Sequence, residues 1–206
     1  MMRNVICQGG RWGVMFAVVL LLSGCLSHNV HEVTYYSLLS AEQLGAGGTV
    51  ASLPEVKLGI GPVTIPDSLK RSQIVTRQQG NQYEFDEFNR WSGVLEKDLT
   101  YVLGDNLGQL LGVSNIGFFP WMQHFQPTYR VIVDVVRLDG SLDGEAVLSA
   151  HWVIADTKGK EFLAGGKSDY RQPLADQSFA ALIKAESQLV ATMSREIAVA
   201  IAALNK

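Results

Sequence analysis

Between positions 176 and 204 the chain carries the feature that most restricts its fold. Phe179, Leu182, Ile183, Leu189, Val190, Met193, Ile197, Ala200, Ile201 and Leu204 recur at helical spacing and form one long apolar stripe. Asp176 or Ser178 can cap the start, and Lys184, Glu186, Arg195 and Glu196 read as the solvated side. A helix apolar along one side needs a surface to lie on. A second helix is predicted over 93–111, with Leu95, Leu99, Val102, Leu103, Leu107, Leu110 and Leu111 on its stripe and Gly112 as its stop. Gly104 and Gly108 each weaken that helix by about 1 kcal/mol relative to alanine, so tertiary packing must compensate, or the glycines serve a close approach to a sheet.

The remaining segments supply the covering surface. Strands are predicted over 34–39, 56–65, 128–138, 145–155 and 161–170, and a hairpin joins 74–77 to 82–85 around Gly80-Asn81. Gly59, Gly61 and Pro62 suggest a bulge or an edge position for the second strand. Asp139-Gly140 and 157–160 read as turns, which makes the last three strands an antiparallel meander. The order strands, helix, strands, helix predicts an α+β fold, with two long helices packed on a largely antiparallel sheet. The stretch 115–125, with Phe118, Phe119, Trp121, Met122 and Phe125, reads as an apolar loop. It either covers one end of the core or presents an exposed patch to a partner or lipid.

Upstream, Arg3 and Arg11 precede an uncharged run over 12–22, too short to span a hydrocarbon core of about 30 Å. Leu22-Ser23-Gly24-Cys25 follows at once and resembles a bacterial lipobox. The resemblance implies a signal peptide over 1–24, lipidation of Cys25, a tether over 25–33, and a single domain over 34–206. One acyl chain binds a membrane marginally, with a constant on the order of 10⁴ M⁻¹, whereas two or more anchor stably. Leu26 follows Cys25; by resemblance to enterobacterial sorting, the absence of Asp there favours the outer membrane, facing the periplasm.

Composition then excludes several function classes. Removing 1–24 from the 206 residues leaves 182, and takes Arg3 and Arg11 with it, so 15 basic residues face 20 acidic ones. That balance argues against nucleic acid, whose binding depends on clustered positive charge. Of the two cysteines, Cys7 leaves with the signal and Cys25 is the lipidation site, so no disulfide, thiol nucleophile or Cys-based metal site is expected. His28 and His31 sit on the tether and make a poor metal site; His124 and His151 are dispersed. Asp134, Asp139 and Asp143 are close in sequence, but the latter two read as turn residues rather than calcium ligands. There is no nucleophile elbow, phosphate-cradling loop or His-Glu-x-x-His, so no enzyme, cofactor or catalytic residue is expected.

Several blocks carry a resemblance to a known family. They are Tyr35-Tyr36-Ser37-Leu38; Ile60-Gly61-Pro62-Val63-Thr64-Ile65-Pro66-Asp67 with Leu69, Arg71 and 73–77; Phe88-Asn89-Arg90-Trp91; Asp105-Asn106-Leu107; Tyr129-Arg130-Val131; His151-Trp152; and Ser194-Arg195-Glu196-Ile197. Together they resemble the PqiC/YmbA family, the ABC-type transport auxiliary lipoproteins that accompany MCE lipid-transport systems. Ser68 and Ser72 stand where that pattern expects an aromatic and a proline.

The resemblance implies a membrane-anchored, non-enzymatic periplasmic lipoprotein that docks an MCE-domain protein and assists intermembrane phospholipid traffic. Partner-contact candidates are Pro62, Ile65, Pro66, Leu69 and Arg71 in 60–77, and Phe118, Phe119 and Trp121 in 115–125. The prolines restrict strand pairing, and the aromatics can serve as interface anchors. The alternative is a stand-alone lipid-binding module holding phospholipid in a continuous apolar cavity between sheet and helices.

Overall fold

The computed structural model describes residues 32–78, 82–122 and 124–205. The signal peptide, Cys25, both tether histidines and the Gly80-Asn81 turn lie outside the described residues. Within them, β1 (Thr34–Tyr36), β2 (Lys57–Thr64), β3 (Gln73–Arg77) and β4 (Tyr83–Trp91) precede α1 (Leu95–Leu111). Then come β5 (Asn115–Phe118), β6 (Tyr129–Gly140), β7 (Glu145–Ala155), β8 (Phe162–Pro173) and α2 (Phe179–Ala203). The fold is α+β, as expected. No helix among these residues is long and apolar enough to cross a membrane.

The strands form one mixed sheet in the order β1-β4-β3-β6-β2-β5, with β7 on the other side of β6 and β8 beyond it. The longest ladders, β6–β7 and β7–β8, are antiparallel, as is β3–β4. β1–β4, β2–β5, β2–β6 and β3–β6 are parallel. Strand β6 is the backbone of the sheet. Its first half pairs β2, and its last residue, Gly140, pairs Thr76 of β3.

Both helices contribute to the core. Leu99, Leu103 and Leu107 of α1 and Leu182, Val190, Met193 and Ile197 of α2 are fully buried, against Leu58, Ile60, Val131 and Ile154 of the sheet. Each such side chain contributes about 1.5–3 kcal/mol by leaving water. The layer between sheet and helices is thus occupied by packed side chains. Gly112 ends α1 in the left-handed conformation at φ 61°, and Ser178 caps α2 by accepting a hydrogen bond from the Ala181 N–H.

Four sequence readings are corrected. The stretch at 115–118 is not loop but strand β5, paired in parallel with β2 through Leu58–Ile116 and Ile60–Phe118. Of the two positions offered for β2, the edge is wrong, since β5 and β6 flank it, and the bulge holds: Pro62 falls where the β2–β6 register shifts, so its missing N–H interrupts no regular ladder. Asp139 and Gly140 do not turn. They finish β6, with Asp139 buried and paired to Arg77 and Arg137, and the turn follows at 141–144. Glu186 is not solvated but 1% exposed, and its Oε2 has no hydrogen-bond partner.

The segment that leads out of the tether is stitched to three elements. β1 adds to β4, and the Tyr36 hydroxyl donates to Asn89 Oδ1 at 3.1 Å. The Leu38 N–H donates to Asp98, the Leu39 N–H to Ser187 and the Ala41 N–H to Asn106.

Candidate functional site

Two segments singled out in sequence meet at one end of the β2–β5 pair. Phe118 pairs with Ile60, and the next residue, Phe119, donates its N–H to the Ile60 carbonyl at 2.9 Å. Gly61-Pro62 and Phe119-Pro120 are both cis peptides, side by side. The aromatics lie on a shelf of bare backbone. Gly59 pairs with Gly117, and a Cβ on Gly117 would come within 2.3 Å of the Phe125 ring, while one on Gly59 would come within 3.2 Å of Trp121. Glycines here leave room for rings that any side chain would displace.

The rings then stack on one another. Phe119 meets Trp121 edge-on at 5.3 Å between centroids, and Trp121 meets Phe125 at 6.5 Å. Phe118 turns the other way, edge-on to Tyr101 at 4.8 Å, over Gly104 of α1. A Cβ on Gly104 would lie 2.6 Å from the Phe118 ring, so the glycine serves the close approach that the sequence left open. The stretch divides between covering the core and standing exposed. Phe118 packs against the core, whereas Phe119 and Met122 are 53% and 72% exposed.

Cations border the aromatic group. The Arg130 guanidinium lies 4.9 Å from the Trp121 ring centroid, and its Nε is buried without a hydrogen-bond partner. With Lys158 it walls a cleft of about 480 Å³ floored by Trp121, Met122 and Phe125. The turn bearing Lys158 is fixed by Asp156. Its carboxylate is held below the usual range, first by the Glu161 N–H and also by that of Lys160, at 3.1 and 2.7 Å. Arg130 and Lys158 were missed as site residues in sequence. Lys158 lies 37 residues beyond Trp121, and only the β6–β7 ladder, where Arg130 opposes Ala155, brings them together.

The rest of segment 60–77 does not join this cluster as a unit. Pro62 is exposed beside it. Pro66 is half-buried at the start of a 3-10 turn (Asp67–Leu69). Ile65 and Leu69 are 5% and 3% exposed and line a separate apolar cleft of about 370 Å³ with Arg71 and Leu95. Arg71 is exposed, with its guanidinium 3.9 Å over the Phe85 ring. Of the eight candidates, then, Pro62, Phe119 and Trp121 are brought together, Phe118 faces the opposite side of β5 against α1, and Ile65 and Leu69 serve the wall of the core.

The arrangement offers aromatic surface and positive charge, which is the chemistry of an adhesive contact rather than of a bond-making site. The family model for the ABC-type transport auxiliary lipoprotein component matches residues 36–198. A crystal structure of an uncharacterized protein is 20% identical, with a TM-score of 0.67, and covers 82% of this chain and 99% of that one. The structure of XCC0632 from Xanthomonas campestris, of family model DUF330, is 12% identical with a TM-score of 0.62, covering 80% of this chain and 92% of that one. These two likenesses show a shared fold. No curated protein matches the chain.

Proposed function

Because the chain belongs to the ABC-type transport auxiliary lipoprotein component family, we propose that it is the docking component of an MCE-type intermembrane phospholipid transport system. Family membership makes it a membrane-anchored envelope lipoprotein that accompanies an ABC-type transporter. On our reading, Cys25 carries the acyl chains, the domain sits at the periplasmic face of the outer membrane, and an MCE-domain protein is its partner.

The observation that carries the docking reading is the convergence of Pro62, Phe119 and Trp121 at the open end of the β2–β5 pair. Exposed rings held on a rigid strand pair, with Arg130 and Lys158 beside them, have the composition of an interface anchor. No catalytic step is proposed. The filled layer between sheet and helices gives no support to the alternative of a carrier with an internal cavity.

Crosslinking in native envelopes, followed by purification through this chain, tests the reading. Recovery of an MCE-domain protein, several-fold reduced by Phe119→Ser or Trp121→Ser in folded protein, is the expected result. Recovery of phospholipid without any such protein overturns the docking role.

A further inference from the structure

A second aromatic group lies on β4, the strand that β1 joins. Tyr83 and Phe85 of β4 stack at 6.4 Å between centroids. Arg77 lies over the first at 4.4 Å and Arg71 over the second at 3.9 Å, so four side chains form one row of rings and guanidinium groups. Tyr83 and Phe85 are 41% and 38% exposed, and Tyr35 of β1 is 63% exposed. The docking contact described above uses none of them.

The sheet register says what this row faces. β1 runs parallel to β4, with Thr34 opposite Asn89, so the N-terminal end of β1 points to the side on which β4 begins, at Tyr83. Thr34 lies nine residues after Cys25 along the chain. Fully extended at about 3.3–3.6 Å per residue, that stretch reaches on the order of 30 Å. The other candidate surface lies elsewhere. Phe118 aligns through Ile60 with Val131 near the start of β6, whereas Thr76 of the β3–β4 hairpin aligns with Gly140 at its end. Nine residues of strand at about 3.3 Å each separate the two levels by roughly 30 Å.

We propose that Tyr35, Tyr83 and Phe85, with Arg71 and Arg77, form a membrane-facing surface that rests in the phospholipid headgroup layer. The inference rests on the lipid-anchor reading above. Aromatic rings with a polar rim suit the interface between water and hydrocarbon. The exposed Glu84 and Glu87 of the same strand argue against attraction by net charge, so the contact depends on the rings and on the short tether rather than on anionic lipid. The domain would then hold its membrane at the end of β6 and its partner at the start, spanning the gap with the sheet.

The test uses the full lipidated chain in vesicles of phosphatidylethanolamine and phosphatidylglycerol. With Cys25 lipidated, Phe85→Cys, Tyr35→Cys and Phe119→Cys each introduce a single thiol for a nitroxide label, and circular dichroism checks that each variant folds. Accessibility to oxygen relative to a water-soluble nickel complex should be several-fold higher at positions 85 and 35 than at 119. Vesicle-bound protein with all three positions equally aqueous overturns the proposal and leaves the anchor standing. Protein that does not float with vesicles overturns both. The docking role fails only in the crosslinking experiment, so the two failures are distinguishable.

Discussion

The backbone N–H of Phe119 and the carbonyl of Ile60, 2.9 Å apart, extend the β2–β5 ladder by one bond beyond Phe118. That bond fixes where the exposed rings begin. Gly61, next to it, has φ +112°, and a Cβ there would fall 2.8 Å from Phe119 Cβ. Gly61→Ala is expected to cost about 1–3 kcal/mol in urea unfolding and to lower partner crosslinking beyond what the lost stability explains. Unchanged stability would show that the two segments are not coupled.

Asn106 is fully buried in α1, accepting from the Ala41 N–H at 2.7 Å and donating to Ser194 of α2 at 3.1 Å. Asn106→Ala leaves the Ala41 N–H without this acceptor and is expected to cost roughly 1–3 kcal/mol. Amide exchange at 38–46 should accelerate more than exchange in β7. A uniform increase across the domain would argue against a local clasp.

Glu186 supplies a pH prediction. Burial, reinforced by the negative charge of Asp139, raises its carboxyl well above the ordinary value of 4.5. The folded state keeps a proton that the unfolded chain loses, so this group's contribution to stability falls as pH climbs from about 4.5 toward the raised value, then levels off. Glu186→Gln should flatten that slope, leave stability near pH 4 unchanged, and raise it near pH 8 by on the order of 1–3 kcal/mol. Thermal melts of both proteins across that range decide it, and parallel curves would show that Glu186 does not titrate this way.

Cys25→Ser should leave the fold intact, by circular dichroism and melting temperature, and move the protein from the membrane to the soluble fraction. Fractionation indistinguishable from the parent would defeat the lipid-anchor argument.

Helical and strand periods in the sequence carry most of the architecture, because they record which side of each element is dry. Gly112 as a stop and 145–155 as a strand match the structure, since both follow from local chemistry. What escaped local reading was long-range. β5 is four residues long and exists through pairing with β2, more than fifty residues earlier. Asp139-Gly140 has the composition of a turn, but Arg77 and Arg137 neutralise the aspartate and let the strand continue. Glu186 was legible. It sits three residues after Ile183 and four before Val190, inside the apolar stripe, and its charge concealed a position that the periodicity had marked as buried. The site was half legible: its rings were visible as composition, while the glycine shelf and Arg130 needed the sheet to assemble them.

The stitching of the chain's entry into the domain has a mechanical consequence. A pull applied to the start of β1 along its axis, parallel to β4, reaches the Leu38, Leu39 and Ala41 amides held by both helices. Force in that direction shears the short ladder and its side-chain clasps together, sharing the load among them, instead of peeling them open one at a time. If the proposed anchor and docking surfaces hold, tension between them loads the domain along the geometry in which its root resists best.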